Sequence, residues 1–200
     1  QFCNLTEVVI REKDKFEDLK RKVMLATILG TAQATLTKFP YLRKIWQKNT
    51  EEERLLGVSL TGIMDNELTN GKKHGLEKTL EALREIAVET NKEWSAIFGI
   101  PQSTAITCVK PSGTVSQLVD SSSGIHPRHS SYYIRTVRGD NKDPLTNFMK
   151  DSGIPSEADF MKPDTQTVFS FPMKSPKKSV VRNDMTAIEQ LEMWLLYQRH

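Results

Sequence analysis

The sequence predicts an α/β fold built on a largely parallel sheet. Three observations lead there. Segments with apolar residues at helical spacing alternate with short runs of β-branched and aromatic residues, as in strands joined by crossover helices. Caps, glycines and prolines punctuate the helical segments. One stretch, Thr104 to Pro127, reads as a strand that passes through a turn of small residues into the start of a helix.

The elements follow in order. CNLTEVVI, residues 3–10, is the opening strand. Phe16 to Leu36 is a long helix, with Leu19, Val23, Ala26 and Gly30 at helical spacing, and Pro40 closes it. Thr50 and Glu53 have capping-box spacing and predict a short helix starting there. GVSLTGIMD, residues 57–65, is a buried strand entering a loop, and Asn70-Gly71 marks a turn. Gly75 to Phe98 is the clearest second helix, closed by Gly99 and Pro101. Beyond the 104–127 stretch, Tyr132 to Val137 alternates as a strand. Pro144 to Lys150 is a short helix ended by Gly153, and Thr165 to Phe171 is another strand. Thr186 and Glu189 form the box that starts the last helix.

Composition sets bounds. The 200 residues suit one domain or slightly more, and 38% hydrophobic residues suffice for a core. A net charge of +3, with basic residues scattered among acidic ones, is not a nucleic-acid signature. No apolar run is long enough to span a bilayer, and no signal-peptide pattern follows Gln1, so the default compartment is cytoplasmic. Two cysteines argue against a disulfide scaffold and a cysteine zinc site. The chain opens inside a strand and closes inside a helix that is still amphipathic at Trp194, Leu195, Leu196 and Tyr197. It therefore reads as an internal segment of a longer protein.

The chemistry gathers around residues 104–127. Pro111 stops the extended run, and Ser112, Gly113 and Thr114 supply hydroxyls and a flexible backbone where a helix begins. Unpaired N–H groups at such a point attract anions, and Lys110 adds positive charge. Spacing alone leaves two readings open: a phosphate site, or a plain helix cap by Ser112 or Thr114. His74, His126 and His129 do not compose a metal site. His126 and Arg128 fall just after the turn, which leaves two readings, a place near a bound substrate or a solvated loop, and the solvated loop is preferred. Tyr132, Tyr133, Arg135 and Arg138 are better explained by an alternating strand than by a nucleic-acid stripe.

The segment KPSGTVSQLVDSSSGIHPRHSSYYIRTVR resembles the phosphate-binding turn of the ribonucleotide reductase large subunit. FCNLTEVV at 2–9, RLLGVSLTGIMD at 54–65 and EQLEMWLLYQRH at 189–200 agree with that family in the same order. The pattern is most like the monomeric, adenosylcobalamin-dependent (class II) ribonucleoside-triphosphate reductases. The resemblance implies a ten-stranded α/β barrel made of two five-stranded halves, of which this chain is part of the second. It implies a ribonucleoside triphosphate substrate whose phosphates are held by Ser112, Gly113, Thr114, Val115 and Ser116. Cys3 is implied as one thiol of the redox pair that reduces the ribose and is restored by thioredoxin or a similar dithiol. Adenosylcobalamin is implied as the radical source, with no residue assignable to it. A monomeric parent without nucleic-acid or membrane partners is also implied.

In that family the partner of Cys3 lies upstream of the CNL segment, so Cys108 is read as a core residue and Glu7 as a surface or strand-end residue. The family's radical-bearing cysteine sits in an upstream Asn-Pro-Cys-Gly-Glu loop outside these residues, so the chain alone is expected to catalyse nothing. A diphosphate-reducing relative and a non-catalytic phosphate-binding module remain as alternatives.

Overall fold

Alternation along CNLTEVVI produces the first strand, β1 (Asn4–Val9), in the computed structural model, which describes residues 2–200. It pairs in parallel with β2 (Leu56–Thr61), Asn4 opposite Leu56 and Val9 opposite Thr61. The crossover carries α1 (Phe16–Gln33) and α2 (Lys44–Glu53). Because side chains alternate along a strand, Thr6 and Val8 turn toward α1 while Cys3, Leu5 and Glu7 turn to the opposite face. The capping-box expectation at Thr50 is corrected. Thr50 lies in the last turn of α2, and its hydroxyl donates to the Trp46 carbonyl at 2.7 Å, a bond within the helix that leaves it no capping role. Arg54, at φ 48°, ends α2 and turns the chain into β2.

Gly75 precedes α3 (Leu76–Phe98), which packs Leu80, Leu83 and Ala87 into the same buried cluster as Leu19, Val23 and Ala26 of α1. Between these helices Asn91 is fully buried and fully used. It donates to Thr31 Oγ1 and Ser103 Oγ, and accepts from the Ser103 N–H. That bond fixes where residues 104–108 begin. The strand expected there does not form as a full element: the segment meets β2 by one isolated parallel bridge, Val58 to Thr107, with the Leu56, Val58 and Cys108 N–H groups donating to the Ala105, Ile106 and Val58 carbonyls. Pro101 before the run and Pro111 after it keep it short. The helix after the turn is a single turn, α4 (Val115–Leu118), stopped where Asp120 takes φ 47°.

Residues 1–128 and 176–200 form one unit and His129–Ser175 a second. In the second, β3 (Tyr132–Asp140) pairs antiparallel with β5 (Gln166–Lys174), and β4 (Ser156–Ala158) lines the other edge of β5. Between β3 and β4 lies α5 (Pro144–Asp151), capped by Asp143, whose Oδ1 accepts the Leu145 N–H at 2.9 Å. The expectation of a largely parallel sheet therefore holds only in the first unit. Here β3 and β4, joined through α5, run in the same direction on either side of β5, and the chain reverses into β5 through residues 159–165. No sheet closes on itself among the described residues, and none of their helices is long and apolar enough to cross a membrane.

The first unit is locked by one buried ion pair. Asp65, at the end of a 3-10 turn (Ile63–Asp65), receives Arg128 Nε and Nη2, both at 2.9 Å. It also accepts the Ser122 N–H and the Ser179 hydroxyl, each at 2.8 Å. Both charged residues are nearly inaccessible, at 2% and 4% exposure. Arg128 is thus a buried structural residue and not part of a solvated loop. α6 (Ala187–Arg199) starts with the expected Thr186–Glu189 box, and Glu189 Oε2 accepts the Thr186 N–H at 2.7 Å. Its Tyr197 hydroxyl donates to the Thr69 carbonyl at 2.8 Å, and burial raises its pKa far above the ordinary phenol value.

Removing one partner of a buried ion pair strands the other charge. Asp65→Ala is expected to cost about 3–5 kcal/mol in urea unfolding. Tyr197→Phe leaves the Thr69 carbonyl without its donor and is expected to cost about 1–3 kcal/mol. A loss below about 1 kcal/mol for Asp65→Ala would show that the pair does not anchor the unit.

Candidate functional site

The turn at 111–116 divides its donors between inside and outside. Ser112 is buried, and its hydroxyl donates to Glu7 Oε2 at 2.9 Å while accepting the Ser116 N–H at 3.1 Å. The Ser116 hydroxyl donates back to the Ser112 carbonyl at 2.6 Å. Ser112 and Ser116 therefore brace the turn from below. The N–H groups of Gly113, Thr114 and Val115 have no partner in the protein, and all three residues are exposed. Three consecutive donors without a partner thus lie over a braced base, a pattern of the kind that can receive an anion. With α4 only one turn long, these N–H groups act locally and not through a long helix dipole.

The turn is seated by the loop that Arg128 holds. Ser123 Oγ donates to the Ser112 carbonyl, and the Gly124 N–H donates to Thr61 Oγ1 at 2.9 Å. Gly124 is required there. At φ 54° it lies so close beneath the turn that a Cβ would come within 2.9 Å of the Lys110 carbonyl and 3.3 Å of the Ser112 nitrogen.

Cys3 lies on the face of β1 that turns away from α1, and it is exposed. Cys108 is exposed as well, which corrects its reading as a core residue. It reaches the same face from the far side of β2, because its N–H bonds the Val58 carbonyl at 3.1 Å and its side chain therefore alternates away from the core. Gly57 lies between them in β2. Glu7 is also corrected. It sits inside β1, half-buried, with Oε2 on Ser112 and Oε1 buried without a hydrogen-bond partner. Burial raises the pKa of Cys3, and Lys110 partly offsets this. Burial raises Cys108 most, the neighbouring Cys3 and Glu7 add to the rise, and Lys110 opposes it. The site thus unites two thiols, a carboxylate, a lysine and the free donors of the turn around one parallel sheet. Sequence reasoning singled out Cys3 and the turn. It missed Glu7, Cys108 and Arg128, whose roles depend on contacts more than fifty residues away; the one local signal was the alternation that puts Glu7 on the same face as Cys3. Among the described residues no group of three His, Cys, Asp or Glu could hold a metal ion.

No family model matches the chain. Its relatives are nonetheless consistent. An adenosylcobalamin-dependent ribonucleoside-triphosphate reductase of Euglena gracilis is 29% identical over all of this chain and 27% of its own length. One of the same name from Lactobacillus gasseri is 32% identical over 86% of this chain and 26% of its own length. The chain belongs to the ribonucleotide reductase family. It spans about a quarter of the length of the curated reductases it matches. The fold agrees: a crystal structure of a B12-dependent (class II) ribonucleotide reductase superimposes with a TM-score of 0.77 at 24% identity. The match covers 98% of this chain and 31% of that one.

Raised thiol pKa values keep both cysteines protonated at neutral pH, and it is the thiolate that reacts. Iodoacetamide alkylation of Cys3 in a Cys108→Ser variant should therefore keep rising beyond the midpoint of a free thiol, about pH 8.5. A midpoint at or below that of a free thiol would overturn the assignment of burial as the controlling influence.

Proposed function

We propose that this chain supplies the substrate-phosphate turn and one reducing thiol of a ribonucleotide reductase acting on ribonucleoside triphosphates. The observation that carries the reading is the coupling of the two parts. The free N–H groups of Gly113, Thr114 and Val115 stand over Ser112, and Ser112 is bonded to Glu7 on the same strand face as Cys3. A nucleotide gripped by its phosphates at the turn would lay its ribose across that face toward the thiol. The Thr114 hydroxyl and Lys110 add a donor and a charge to the grip. In a complete reductase the parallel sheet of the first unit would form part of the ten-stranded barrel.

Replacing the ribose 2′-hydroxyl by hydrogen, with release of water, takes two electrons and two protons. Cys3 would give one thiol's share, and a second thiol elsewhere in the reductase would give the other. The pair ends as a disulfide, which thioredoxin or a similar dithiol reduces by exchange. The relatives are named adenosylcobalamin-dependent, and that cofactor would initiate the radical chemistry. The space beside the thiols does not fit it. The cavity beside Cys108 is about 160 Å³ and lined mainly by aliphatic side chains such as Val58, Leu80 and Leu83, too small for a corrin.

Two variants of the complete reductase test the reading. Gly113→Ala adds a Cβ that meets nothing within 4 Å and should leave the KM for triphosphate near wild type. Gly113→Pro deletes one of the three donors and should raise it roughly tenfold or more. A folded proline variant with unchanged KM would remove the phosphate assignment. Cys3→Ser should bind substrate normally but lose multiple turnover with thioredoxin, since a hydroxyl forms no disulfide. Sustained turnover by that variant would remove the redox assignment.

A further inference from the structure

Cys3 and Cys108 approach Gly57 of the central strand from opposite sides. Measured from the position a Cβ would take on Gly57, the Cys3 sulfur lies at 3.0 Å and the Cys108 sulfur at 3.3 Å. The two sulfurs are therefore no farther apart than the sum of those distances. Any larger residue at 57 would fill the space between them. Both thiols are free and exposed, and each is within electrostatic reach of Lys110.

We propose that Cys3 and Cys108 form a dithiol that oxidises to an intrachain disulfide lying over Gly57. A small-molecule disulfide such as glutathione disulfide is the oxidant. The Cys3 thiolate attacks one of its sulfurs and releases one glutathione thiolate. Cys108 then attacks the Cys3 sulfur, forms the intrachain bond and releases the second. Two protein thiols are oxidised, one disulfide is reduced, and the two thiol protons end on the glutathiones. An S–S bond of about 2.05 Å needs the sulfurs to close further. The Cys108 side supplies that movement. Phe2, stacked against Phe39 and Trp46 at 4.7 and 5.2 Å, holds the chain just before Cys3. Cys108 instead follows the last bridge at Thr107 and leads into the irregular segment before the turn. The pair exists whether or not Cys3 reduces a nucleotide, so its failure and that of the proposed function are separately visible.

Mass spectrometry after treatment of the 200-residue chain with glutathione disulfide tests the proposal. Wild type should lose two hydrogens, carry no glutathione, and yield a Cys3–Cys108 crosslinked peptide. Cys3→Ser and Cys108→Ser should each retain one glutathione. Glutathione release from native wild type should be roughly tenfold faster than in guanidinium, where the long intervening loop must close at random. Dibromobimane, which bridges nearby thiols, should link the same two cysteines, and Gly57→Ala should slow that bridging about tenfold by inserting a methyl between the sulfurs. Stable double glutathionylation of native wild type, or bridging unaffected by Gly57→Ala, would overturn the proposal.

Discussion

The ion pair between Asp65 and Arg128 is the constraint on which the site depends. Two charges removed from water are tolerated only when each is matched and its remaining valences are satisfied. Asp65 meets this with four donors drawn from two distant segments: Arg128 twice and the Ser122 N–H from one loop, and the Ser179 hydroxyl from another. The loop ending at Arg128 is thereby fixed against β2, and the same loop supplies Ser123 and Gly124 beneath the turn. The free donors of Gly113 to Val115 lie over Ser112 and Ser116, whose hydroxyls are already bonded.

A second coupling runs through Glu7. The Glu7 carboxylate serves as a brace, its Oε2 accepting the Ser112 hydroxyl. It fixes the turn to the strand that carries Cys3. Gly57 has a complementary role in β2: by lacking a side chain it leaves room for sulfur on both sides. One position provides the link and the other provides the space.

Much of this was legible in the chain. The capping box at Thr186, the glycine before α3, the proline opening α5 and the alternation of CNLTEVVI each act within a few residues, and each produced the element expected. Thr50 shows the limit of such signals. The same box spacing sits at the end of a helix because its hydroxyl found a carbonyl one turn back. The strand before the turn was legible as extended chain, but its attachment through a single bridge depends on how Asn91 and Ser103 deliver it to β2.

By itself the sequence determined the local conformations, the α/β class, the small-residue turn before α4 and the strand that carries Cys3, because propensity, capping and side-chain alternation are short-range effects. Only the tertiary structure decided which donors of the turn remain free, that Arg128 is buried against Asp65, that Glu7 lies under Ser112, and that Cys108 meets Cys3 over Gly57. The physical reason is that burial and pairing are properties of contacts between distant segments. Periodicity places a residue on a face of its own element. The opposing element sets what that face meets.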